Sequence, residues 1–158
     1  MKESKGIKVL GLDPGTSESG YVIWNSDKYI VSKGKVFNES LLKKIYDKPE
    51  FFDIVVIEIV KSYGMPVGQE TFETCFWIGR FQEALLRMNK EVIFVGRKEC
   101  IIWHNKSNKG NDATLKQALK DKYGNKGTIK NKGVFFGVSK DIWSAVALAT
   151  WYCETNNL

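Results

Sequence analysis

The chain has 158 residues, 43% hydrophobic and 27% charged, with a formal net charge of +6 and a pI near 9.1. That is room for one domain, taken to span 1–158, with a core of its own. No apolar run approaches the roughly 18–20 residues of a membrane span, Met1-Lys2-Glu3-Ser4-Lys5 opens no signal-like apolar stretch, and Cys75, Cys100 and Cys153 lack disulfide or zinc spacing, so a reduced, cytoplasmic protein is expected.

The run Ile7-Lys8-Val9-Leu10-Gly11-Leu12 reads as a short buried strand that ends in the tight turn Asp13-Pro14-Gly15-Thr16. A carboxylate is thereby delivered at the end of a rigid element, a suitable place for a metal ligand. A second strand follows over Gly20–Trp24 and, after Asn25-Ser26-Asp27, a third over 28–37. Three strands in such close succession predict an antiparallel meander. A short helix is expected over 38–46, with Leu41, Leu42 and Ile45 on one face. Residues 53–60 form a fourth, almost wholly apolar strand with one acid inside it, Glu58. An acid in such a run is costly to bury unless something positive meets it. Asp13 and Glu58 together therefore point to a shared cation.

Residues 61–68 hold two glycines and a proline and read as a loop, from which Tyr63 and Met65 can wedge into a nucleic acid. A long helix over 69–89 repeats Trp77, Phe81, Ala84, Leu85 and Met88 at helical spacing. With Phe72 and Phe76 it carries more aromatic surface than one sheet-facing stripe requires, which is material for a subunit interface. A fifth strand over 91–95, a short helix over 97–103, a helix over 112–123 stopped by Gly124, and a Gly/Lys/Asn loop over 124–133 follow. The last helix runs from Ser139, its expected N-cap, to about Cys153 and is apolar on most faces, so it must be largely buried. Asp141 in its first turn complements the helix dipole. It is also a third acid, which completes the minimum set for a two-metal site. The strands and helices alternate as mixed α/β.

Between residues 97 and 140 eleven Lys or Arg stand against only Glu99, Asp112 and Asp121, and the rest of the chain is slightly acidic. Such a segment suits a phosphate backbone, with Lys109, Lys116, Lys126, Lys130, Lys132 and Lys140 as contacts. Asp112 precedes Ala113-Thr114-Leu115 and reads as a helix N-cap. His104 is the only histidine; a lone histidine is usually structural, and it stays outside the catalytic set.

Taken in order, Leu12-Asp13-Pro14-Gly15-Thr16 with Gly20-Tyr21, Val55-Val56-Ile57-Glu58, Trp77-Ile78-Gly79-Arg80, and Asp141 with Ser144-Ala145-Val146-Ala147-Leu148-Ala149 resemble the motifs of the RuvC-like Holliday-junction resolvases. The resemblance covers nearly the whole chain and looks closest to the small phage-encoded branch. It implies a ribonuclease-H-like fold, a five-stranded mixed sheet flanked by helices. It implies a homodimer that cuts four-way and other branched DNA junctions, leaving a 5′-phosphate. Asp13, Glu58 and Asp141 would hold two Mg²⁺ ions, with Mn²⁺ able to substitute, and Arg80 would face DNA or the partner subunit. Bacterial members commonly carry an acid three positions after the one matching Asp141. Here that position is Ser144, which leaves Asp112 as the acid available to assist. The same fold would also serve a nuclease of RNA–DNA hybrids or a non-catalytic junction-binding protein. An acid-Gly-Thr turn between strands also opens the actin-like nucleotide-binding proteins, but these need two such domains.

Overall fold

The computed structural model describes residues 5–158; most of the N-terminal stretch read above for a signal, Met1–Ser4, lies outside them. Five strands form one sheet: β1 (Lys8–Asp13), β2 (Glu18–Asn25), β3 (Tyr29–Phe37), β4 (Ile54–Glu58) and β5 (Glu91–Val95), in the spatial order β3-β2-β1-β4-β5. The first three make the expected antiparallel meander. β1, β4 and β5 run parallel, so β4 and β5 need a crossover, and the long helix supplies it. Glu58 is the last residue of β4, not an interior one. Strand geometry breaks down at Ile59, where the chain leaves the sheet for the loop before the crossover helix.

The helices are α1 (Asn38–Asp47), α2 (Gln69–Arg87), α3 (Arg97–Asn105), α4 (Asp112–Tyr123) and α5 (Lys140–Thr155), with a 3₁₀ turn at Pro49–Phe51. None is long and apolar enough to cross a membrane. Strand alternation splits the core in two. Leu10, Leu12, Tyr21, Ile23, Val55 and Ile57 face α1 and α2. Val9, Val22, Trp24 and Val56 face the other way, where α5 lies on β1 and β2 and packs with α3 and α4. The α2 periodicity holds in part: Phe81, Ala84 and Leu85 are buried together with Ile78, while Trp77 and Met88 pack at the core margin. Phe72 and Phe76 stay exposed.

α5 can reach the sheet because glycines face it. A Cβ on Gly11 would collide with the carbonyl oxygen of Ala145. One on Gly20 would lie 2.7 Å from the carbonyl oxygen of Asp141. Ser139 is the N-cap residue of α5, as expected, but its side chain makes no capping hydrogen bond. The cap of α4 is Asn111, which corrects the reading of Asp112. The Asn111 side chain accepts from the Thr114 N–H at 3.1 Å, and the Thr114 hydroxyl accepts from the Asn111 N–H at 2.8 Å, a reciprocal capping box. Asp112 is the first residue inside the helix.

Candidate active site

The register of β1 and β4 pairs Leu12 with Ile57. The next residues, Asp13 and Glu58, therefore leave neighbouring parallel strands side by side, at the C-terminal ends where open α/β sheets place their ligands. Burial pushes the Asp13 carboxyl up to about 8, and the neighbouring Glu58 and Asp141 charges push the same way, while Arg97 opposes them. Burial also raises Glu58, again against Arg97. These are the marks of acids held close together in poorly hydrated surroundings.

Asp141 arrives from above on the first turn of α5, at the height that Gly11 and Gly20 permit. It pairs with Lys35 of β3. Asp13, Lys35 and Asp141 line a cavity of about 500 Å³ together with the turn Pro14–Glu18. The turn is braced from below by two buried polar residues, Ser19 and Asn38. The Ser19 hydroxyl donates to Asn38 Oδ1 and accepts from the Gly15 N–H at 3.2 Å, and Asn38 Nδ2 donates to the Gly15 carbonyl at 2.9 Å. The loop that follows Asp13 is thus fixed by side chains as well as by its own geometry.

Arg97, the first residue of α3, stands on the far side of Glu58. Its Nη1 lies 3.9 Å from Glu58 Oε1, and its Nη2 donates to both carboxylate oxygens of Asp112 at 2.8 Å. Asp112 is therefore committed to a guanidinium. Among the described residues no three His, Cys, Asp or Glu side chains are gathered closely enough to hold a metal ion by themselves. Asp13 and Glu58 form a close pair, Asp141 stands near Asp13, and Asp112 is separated from them by Arg97.

The other expected residues fall in three places. Lys116, Lys140 and Ser144 line a second cavity, shared with Arg97, Asp112 and Asp141. Tyr63 and Met65 are 62% and 74% exposed on the coil after β4. Lys109, Lys126, Lys130 and Lys132 are exposed on the loops flanking α4. Arg80 is engaged elsewhere: its guanidinium stacks 4.0 Å above the Trp77 ring and pairs with Glu39 of α1. His104 is buried against α5, its Nε2 2.9 Å from the Ala147 carbonyl oxygen and 3.3 Å from the Thr150 hydroxyl. Burial lowers its pKa, so it stays neutral at pH 7. Lys35 and Arg97 were not singled out from the sequence. The available signal was that buried acids need cations; which cations meet them depends on long-range pairing.

No protein-family model matches the sequence, and no curated protein does. Solved structures do. Thermus thermophilus RuvC in complex with a Holliday junction substrate matches with a TM-score of 0.69 at 12% identity, over 95% of this chain and 96% of that one. A second Thermus thermophilus RuvC structure matches with a TM-score of 0.66 at 13% identity, over 95% and 97%. The chain has the RuvC fold. The five-stranded mixed sheet and flanking helices are the ribonuclease-H-like architecture expected from the motifs. Neither neighbour lends support to the phage-encoded branch.

Proposed function

We propose that this protein is a divalent-metal-dependent, structure-specific endonuclease that resolves four-way and other branched DNA junctions by phosphodiester hydrolysis. The observation that carries the reading is the placement of Asp13 and Glu58, side by side at the ends of adjacent parallel strands with Asp141 above, in a fold shared with a protein solved on a Holliday junction.

The donor set fits a hard divalent cation. Burial raises both carboxyls despite the nearby Arg97, so a cation between them would be welcome, and Mg²⁺ typically takes one or two carboxylates and fills its other positions with water and phosphate oxygens. Asp13 and Glu58 would hold it, and Asp141 would join from the Lys35 side. When bound, Mg²⁺ or Mn²⁺ would supply an activated water and neutralise charge on the leaving oxygen. The chain's own residues do the rest. The Gly15–Asn38–Ser19 brace fixes the turn beside Asp13. Lys35 and Arg97 keep the acid cluster from repelling an anionic backbone, and the lysines around α4 attract it. Tyr63 and Met65, exposed on their coil, would meet the branch point. The working unit is a homodimer of single nuclease domains spanning 1–158, acting in the cytoplasm.

The test is cleavage of a labelled four-way junction beside duplex, flap and RNA–DNA hybrid substrates in Mg²⁺. Paired cuts confined to branched DNA are expected. Preferential cleavage of the hybrid would move the protein to another nuclease activity of the fold.

A further inference from the structure

Behind the acid pair, on the α5 side, lies a separate cavity of about 310 Å³. Arg97, Lys116 and Lys140 face it, and so do Asp112, Asp141 and Ser144. Both acids already have cations: Asp112 holds Arg97, and Asp141 pairs with Lys35. Lys116 and Lys140 have no acidic partner among the described residues. The cavity therefore carries surplus positive charge directly beside an anionic centre. Arg97 is held for use, because Asp112 grips Nη2 from one side, while Nη1, 3.9 Å from Glu58, and Nε donate no hydrogen bond to the described residues. The first residues of α3, α4 and α5 all stand at its rim, and α3 and α5 have no side-chain cap, so backbone N–H groups add to the positive field.

We infer that this cavity is a phosphate subsite, that it receives a backbone phosphate of the DNA next to the one being cut, and that Arg97 is its principal contact, with Asp112 as the positioning residue. The inference rests on the nuclease reading for the identity of the ligand. It also gives Ser144 a physical reason. An acid there would stand in the wall of the subsite and repel the phosphate it has to admit.

The chain has three arginines, Arg80, Arg87 and Arg97, so the side-chain Nε–H spectrum of ¹⁵N-labelled protein holds three signals to follow. Titration with inorganic phosphate at constant ionic strength, with chloride as control, should move the Arg97 signal saturably. Arg80 and Arg87, paired with Glu39 and Glu83, should stay still. In parallel, four-way-junction binding is measured in EDTA. Arg97→Ala should weaken it about tenfold, the worth of one charge-assisted contact, and make the slope of log affinity against log salt shallower by about one. Ser144→Asp should weaken binding in the same direction from the opposite wall, and it keeps the test open should Arg97→Ala fail to fold. A silent Arg97 signal, or junction affinity and salt slope unchanged in both variants, overturns the subsite. If Arg97 responds to phosphate while the wild-type protein ignores branched DNA, the subsite stands and the junction reading falls. A bound and cleaved junction with a silent Arg97 has the opposite meaning.

Discussion

Asp13 is the residue on which the site turns, and its protonation ties function to stability. Its carboxyl titrates near 8 when folded against an ordinary 3.8. The folded protein thus holds this proton more tightly than the unfolded chain, so the stabilising contribution is complete below about pH 4 and drains away as pH rises toward 8. Glu58, also raised, acts in the same sense. His104, whose pKa is lowered, acts in the opposite sense around its ordinary 6.5, so the informative quantity is a difference between proteins. In metal-free buffer the melting temperature of wild type should fall relative to that of Asp13→Asn as pH is raised from 5 to 8, and Mg²⁺ should close the gap. A constant difference across that range would mean that Asp13 ionises freely. In activity assays Asp13→Asn and Glu58→Gln should each abolish cleavage while junction binding survives, because the substitutions remove negative charge from beside a phosphate. Full cleavage by Asp13→Asn in Mg²⁺ would remove it from the catalytic set. Asp112→Asn should cut the rate only partly, since it loosens Arg97 without touching the acid pair; complete loss with unchanged melting would make Asp112 catalytic.

At the scale of elements, the site depends on how closely α5 approaches β1 and β2. Gly11→Ala sets a methyl against the backbone of Ala145, which cannot move without lifting the helix. The expected outcome is a loss of a few kcal/mol of stability, in the range of overpacking a tight core, together with a fall in cleavage steeper than the fall in folded fraction, because Asp141 moves with α5. Equal losses of cleavage and folded protein, measured by activity and circular dichroism on one sample, would show that Gly11 serves packing alone. This dependence was hidden in the sequence. An acid at the end of an apolar run or within it announces itself locally, so Asp13, Glu58 and the order of elements were legible, although Glu58 was read inside a strand that in fact stops at it. What meets those acids was not. Lys35 sits on the outer strand among other lysines, and its pairing with Asp141 spans more than a hundred residues. Asn38 looked like an ordinary helix start, yet its side chain is buried under the Asp13 turn. Asn111 and Asp112 are both good capping residues, and Thr114 at the third helical position was the one local sign favouring Asn111.

At the scale of the whole molecule, the exposed lysines that follow α4 and the exposed aromatics of α2 stand on different elements. The lysine-rich loop 124–133 is exposed. Replacing Lys126, Lys130 and Lys132 by Ala should weaken binding to DNA of every shape and flatten the salt dependence, whereas unaltered affinity would make the loop mere solvated surface. The apolar excess lies on the other side of the sheet. On α2, Phe72 is 53% and Phe76 70% exposed, and Val67 on the coil before it is exposed as well. Exposed aromatics this concentrated are uncommon on a monomer and are the usual stuff of interface cores. A second copy of the chain is the partner that suits the proposed reaction. Resolution of a four-way junction needs two cuts on strands of like polarity before the junction rearranges, and a two-fold dimer brings two identical sites to a nearly two-fold substrate. Sedimentation at micromolar concentration should therefore show a dimer. Phe72→Glu with Phe76→Glu should yield a folded monomer, because neither ring belongs to the core. In a cruciform plasmid assay that monomer should nick without linearising, while wild type linearises within one binding event. A wild-type monomer that still made paired incisions would rule out the dimer.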